Sequence, residues 1–116
     1  MKLNDFQKEA LSTCRPYADW LDGLTGLAMG LVVRAVKVMD HTKSIRDHNH
    51  KSDTDLMREV LGDVLWYTAA LADALGLSLE ECAAYNLIKT RRIYPAGFNM
   101  KQYLAHNKQP RKRRGG

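Results

Sequence analysis

The stretch GLVVRAVKVMDH, residues 30–41, sets Arg34 and Lys37 three apart on an otherwise apolar segment. Residues three apart share one face of a helix, so the two cations address one place. Arginine offers a planar fork that grips phosphate in two places, and lysine a compact point charge. Together they suit an anion. The segment REVLGDVLWY, residues 58–67, places one acid, Asp63, in apolar surroundings, and Trp66 and Tyr67 behind it offer rings that can stack a base. Each has a plainer reading beside the functional one. Arg34 and Lys37 also fit a solvated helix face, Asp63 with Arg34 fits an ion pair across a hairpin, and Trp66 and Tyr67 fit core or interface. His41, His48 and His50, with Asp47 and Asp53, lie in or beside a polar loop at spacings that match no metal-ligand pattern. No metal is assigned there.

The elements that must position these residues are helices. Asn4 or Asp5 can cap a first helix, DFQKEALSTC, which ends before Pro16. PYADWLDG reads as a short turn leading to Gly23. A second helix runs from near Leu24 to about Ser44, with Leu24, Leu27, Leu31, Ala35 and Val38 at helical spacing. The polar run RDHNHKSDTD reads as a loop, and a third helix runs from about Thr54 to Leu75 with Asp53 or Thr54 as its cap. Its buried stripe is expected at Leu61, Val64, Leu65, Thr68, Leu71, Ala72 and Leu75, and Gly76 stops it. Ser78 opens a capping box, SLEE, for a fourth helix over 79–92. Pro95 and Gly97 then mark a turn, and residues 98–107 form a short arm or helix. From Lys108 onward disorder is expected. No repeat or strand pattern shows, so the fold class is all-α, an up-and-down helical bundle.

Length and composition fit one domain: 116 residues, 45% hydrophobic and 27% charged. The net charge of +5 has an address. The tail KQPRKRRGG carries Lys108, Arg111, Lys112, Arg113 and Arg114 without an acid, which leaves residues 1–107 near neutral. A basic nucleic-acid-binding body is therefore not expected, and nucleic acid is expected as a partner only through the tail. Cys14 and Cys82 fall on separate helices and read as reduced thiols. MKLNDFQKEAL turns polar at once, which predicts no signal peptide, and no apolar run approaches the ~20 residues that span a bilayer. The expected location is the cytoplasm.

The segment LGDVLWYTAALADALGLSLEECAAYNLIKTRRIYPAGF resembles the MazG-like nucleotide pyrophosphohydrolases. The likeness rests on G-D-V-L-W-Y, A-L-G-L-S-L-E-E, an N-x-x-K pair and R-x-Y-P-x-G-F, and extends back through MGLVVRAVKVMDH and LNDFQKEAL to cover roughly residues 3–98. Residues 99–107 then form an arm and 108–116 the tail. The resemblance implies a helical bundle completed by dimerisation or tetramerisation. It also implies cleavage of nucleoside triphosphates to monophosphate and pyrophosphate. In that family, glutamates on helix two and an E-x-x-D pair on helix three hold magnesium. Mg²⁺ takes oxygen ligands, polarises phosphate and activates water.

This sequence departs from that pattern at the metal. Arg34 and Lys37 stand where the two helix-two glutamates are usual, and Val33 and Val36 stand where glycines are usual. On helix three Val60 replaces the glutamate, and only Asp63 stays. Three of four expected carboxylates are absent. The four positions carry +1 in place of −4. Two unit charges about 5 Å apart interact by roughly 3 kcal/mol at an effective dielectric of 20, so a divalent cation meets repulsion. The resemblance assigns Asn86, Lys89 and Arg92 to contacts with phosphate and sugar, and Tyr94 follows them. The reading that follows is a MazG-like protein with no catalytic residue and no magnesium cofactor. It holds a nucleotide-derived phosphoanion, such as a second messenger of host defence or stress signalling, through Arg34, Lys37, Asp63, Trp66, Tyr67, Asn86, Lys89, Arg92 and Tyr94. A small MazG-like protein of this kind fits a phage setting. The alternatives are an active pyrophosphohydrolase with a metal site rebuilt from Glu59, Asp63 or Asp40, and a purely structural or regulatory oligomer.

Overall fold

Asp19 opens the longest helix. In the computed structural model, which describes residues 1–108, its side chain accepts the backbone N–H of Asp22 at 3.1 Å. The helix it caps, α2, spans Trp20–His48. It starts four residues before the expected Leu24, because Asp19 satisfies the free N–H groups of the first turn. Gly23 does not break it: a Cβ there would lie 2.6 Å from Cγ of Tyr17, so the glycine is a seat for that ring. At the other end α2 continues past Ser44 to His48, and Asn49 stops it in the left-handed region at φ 53°. The expected loop therefore shrinks to residues 49–53.

The other elements are α1 (Leu3–Ser12), α3 (Thr54–Ala74), α4 (Leu79–Ile93) and α5 (Met100–Lys108), with no strand among the described residues. The all-α class holds. Asp53 caps α3 by accepting the N–H of Leu56 at 3.0 Å, and Gly76 follows its end at φ 74°. The start of α4 is served from a distance. Gln7 of α1 accepts the N–H of Leu79 at 3.0 Å, and Asn4 accepts that of Glu80 at 3.1 Å. The Gln7 amide also donates to the carbonyls of Ala69 and Leu77, each at 3.1 Å. Gln7 is buried, and its polar atoms are satisfied by these three bonds.

The chain divides into two units, Met1–Glu80 and the part from Glu81 onward. In the first, α2 and α3 form an antiparallel hairpin, and α1 packs on α3. Trp66 of α3 donates its indole N–H to the Ala10 carbonyl at 3.1 Å and to Thr13 Oγ1 at 2.9 Å. Trp20, at the start of α2, donates to the Ala74 carbonyl at 2.7 Å. These contacts run α1 and α2 in the same sense, both opposed to α3. The first connection is thus a return segment rather than the tight reversal of a strict up-and-down bundle. Ala10, Leu27, Val60, Ala69, Ala70, Ala72 and Leu79 are buried. Of the expected stripes, Leu27 and Ala72 are buried, but Ala35, Leu61, Leu65 and Leu75 are exposed. Alanines supply four of these seven buried positions.

In the second unit, α4 ends at a turn in which Gly97, at φ 91°, donates its N–H to the Tyr94 carbonyl at 3.1 Å. Asn99 caps α5 through the N–H of Gln102 at 3.0 Å. Lys108, assigned from sequence to the tail, closes α5. Arg111, Lys112, Arg113 and Arg114 lie outside the described residues. Among the described residues no single helix is long and apolar enough to cross a membrane.

Candidate functional site

The antiparallel pairing of α2 and α3 brings the sequence-derived positions into register. Moving down α2, Gly30 faces Tyr67, Arg34 faces Asp63, Lys37 lies beside Val60, and His41 lies beside Leu56. Arg34, Lys37, Val60 and Asp63, the four positions at which the resemblance implies metal carboxylates, therefore meet on one hairpin face, as residues three apart on two facing helices can.

Arg34 is the centre. Its Nε lies 3.1 Å from Asp63 Oδ2. That nitrogen is shut off from solvent, yet its N–H is not aligned on an acceptor, so the contact is an ion pair rather than a directed hydrogen bond. The guanidinium carbon lies 5.8 Å from the centre of the Tyr67 ring, within the range of a cation–π attraction. Tyr67 can lie there because position 30 is glycine: a Cβ at Gly30 would overlap the ring. Trp66 meets Tyr67 edge-on, with ring centres 5.0 Å apart at 84°. The Arg34 and Asp63 side chains are 28% and 43% exposed. An ion pair this wet contributes at most about 1 kcal/mol. A guanidinium so weakly bound can be shared with another anion.

Lys37 is exposed one turn further on, at a depression of about 410 Å³ lined also by Asp40, His41, Leu56 and Val60. Val60 is only 5% exposed. The position at which the resemblance implies a carboxylate is thus an apolar floor. Arg34, Lys37 and Asp63 sum to +1, and with Asp40 the wider patch holds two cations and two carboxylates. His41 Nε2 accepts the N–H of Asp53 at 3.0 Å, and Ser44 Oγ meets His50 Nδ1 at 2.6 Å, so both rings fasten the loop between the helices. Among the described residues no three acids, histidines or cysteines stand close enough to share a metal. The donor set does not fit magnesium: Asp63 is engaged by Arg34, and Val60 offers no ligand.

Trp66 has a packing role, since its indole N–H is spent on α1. Tyr67 is half-buried between Gly30, Arg34 and Trp66. Asn86, Lys89 and Arg92 are exposed on α4, and Tyr94 is half-buried beside Phe98, with ring centres 5.6 Å apart. These four belong to the second unit. Gly30 and His41 were not singled out by sequence for these contacts. A glycine in the middle of an apolar helix, one turn before an arginine, is the signal that could have found the first.

No protein-family model matches the chain, and no solved structure matches it. The chain is similar to the Gene 37 protein of Mycobacterium phage L5, with 36% identity over 75 residues. The similarity covers 61% of this chain and 66% of that protein, a little under two thirds of its length.

Proposed function

We propose that this protein binds a nucleotide-derived phosphoanion on the α2–α3 face without hydrolysing it. The observation that carries the reading is the Arg34–Asp63 contact, in which a guanidinium with an unaligned Nε is held loosely by one half-exposed carboxylate. An incoming phosphate replaces Asp63 on the guanidinium fork and draws in the exposed ammonium of Lys37. Charge neutralisation that two magnesium ions would otherwise provide comes from these two side chains. Tyr67 holds Arg34 at cation–π distance, with its ring centre 5.8 Å from the guanidinium carbon. The MazG-like resemblance assigns Asn86, Lys89 and Arg92 to contacts with phosphate and sugar, and the similarity to a phage protein is consistent with a phage origin. A protein of this kind would act by holding a signalling nucleotide away from its receptor.

The test is calorimetric titration with a panel of nucleoside triphosphates and cyclic dinucleotides, with and without Mg²⁺. Binding without pyrophosphate release is expected, and about 100 Kd of ligand should stabilise the fold by roughly 2.7 kcal/mol. Arg34→Glu with Lys37→Glu should abolish affinity and leave the helical spectrum intact. Metal-dependent pyrophosphate release lost in Asp63→Ala would overturn the proposal.

A second reading has its own observation. Arg34, Asp63 and Tyr67 also join α2 to α3, and as a purely structural clasp they need no ligand. Asp63→Asn separates the two. It frees the guanidinium, so the anion reading expects tighter binding, several-fold or more, with a small loss of stability. The clasp reading expects the loss of stability alone.

A further inference from the structure

The near-neutral sum over residues 1–107 conceals a division that follows the two units. Residues 1–80 carry nine lysines and arginines against twelve acids, a net of −3, whereas residues 81–116 carry nine against one, a net of +8. The described part, 81–108, holds Lys89, Arg91, Arg92, Lys101 and Lys108 against Glu81 alone. Positive charge this one-sided points to a polyanion.

The same unit exposes a run of rings. Tyr94, Phe98 and Tyr103 follow one another with centres 5.6 and 6.0 Å apart, tilted by 36° and 51°. Phe98 is 69% exposed and Tyr103 44%. These rings come from the end of α4, the turn and α5, and form a ladder rather than a core. Bases stack on such rings whatever their sequence, while flanking cations follow the phosphates.

On α4, Leu87 and Arg91 fall one turn apart, as do Ile88 and Arg92, and the four line one open groove. Apolar and cationic groups are interleaved on it. A helix that lies in a membrane surface separates them into opposite faces, so the arrangement disfavours a lipid partner. We infer that the unit from Glu81 onward is a binding surface for single-stranded nucleic acid, with Phe98 and Tyr103 as the stacking platform and Arg91 and Lys101 among its phosphate contacts. Arg34 and Lys37 take no part in it.

The experiment is fluorescence anisotropy of a labelled 16-nucleotide oligouridylate with the full-length protein over a salt series. Binding should weaken linearly on a logarithmic salt axis, with a slope of about −0.7 for each phosphate neutralised. Phe98→Ala and Tyr103→Ala should each lower affinity roughly 5- to 150-fold with little change in slope, since a stacked base contributes about 1–3 kcal/mol. Arg91→Gln with Lys101→Gln, at exposed positions, should flatten the slope by more than one unit and guards against a ring variant that fails to fold. Arg34→Glu with Lys37→Glu should change nothing here. Three outcomes overturn the inference: no binding at low salt; binding indifferent to the ring and Arg91/Lys101 variants but lost when Arg111–Arg114 are neutralised, which leaves only a charged tail; or stronger capture by anionic vesicles than by the oligonucleotide.

Discussion

Tyr67 answers to two positions on α2 that lie one turn apart. Gly30 gives it room, and Arg34 lies over its ring. Glycine in a helix interior ordinarily costs about 0.5–1 kcal/mol relative to alanine. At Gly30 that cost is set against the ring's place. Gly30→Ala should therefore destabilise by about 1–3 kcal/mol through overpacking. Gly26 lies on the same helix with nothing within 4 Å of its would-be Cβ, so Gly26→Ala should stabilise by up to about 1 kcal/mol. Thermal melts of the two variants should move in opposite directions. Equal shifts of either sign would remove the argument that Tyr67 is seated by Gly30. Arg34, Lys37 and Asp63 were legible in the sequence because charge on an apolar helix is conspicuous. Gly30 was not, since its meaning lies in a residue 37 positions away that only the hairpin register supplies.

At the scale of elements, helix existence was readable, and so were the ends of α3 and α4, whereas both ends of α2 lay four residues beyond expectation. Asp53 and Gly76 mark their boundaries by local chemistry, a side-chain acceptor and a left-handed backbone, so α3 falls within a residue of its expected span. The start of α2 was misplaced because Gly23 and the preceding aromatic residues resemble a turn, although the decisive group is Asp19. At the start of α4, Gln7 and Asn4 add acceptors from more than 70 positions away, and no local pattern contains that. Two substitutions measure the difference. Asp53→Ala should cost about 1 kcal/mol, the ordinary loss of an N-cap. Gln7→Leu leaves the Leu79 N–H and the Ala69 and Leu77 carbonyls without their partner in a buried place, where each unsatisfied group costs about 1–3 kcal/mol. Its penalty in urea denaturation should exceed that of Asp53→Ala at least twofold. A smaller penalty would mean that water replaces the amide.

At the scale of the molecule, what the described core leaves out is as informative as what it contains. Met29, Val32, Val33, Val36 and Met39 follow one another at helical spacing on α2, each about half exposed or more, and Leu61 and Leu65 do the same on α3. Leucine and valine at regular spacing were read from sequence as a single inward stripe. The helix in fact has apolar residues on more than one face, and periodicity alone does not say which face meets its own chain. Burying one such aliphatic side chain contributes about 1.5–3 kcal/mol, so five left in water represent a large unmet driving force. The resemblance implies a second copy that completes the bundle, and this row is a face that such a copy would cover. It predicts that Val33→Asp with Val36→Asp converts the protein to a monomer in sedimentation velocity, and that the melting temperature of the parent, but not of the variant, rises with protein concentration. A parent that sediments as a monomer at every concentration would leave that row for a different partner. Because Arg34 sits between Val33 and Val36 in the chain but points to Asp63, the same variant should retain anion affinity if each hairpin holds its ligand alone, and lose it if the site is completed across two copies.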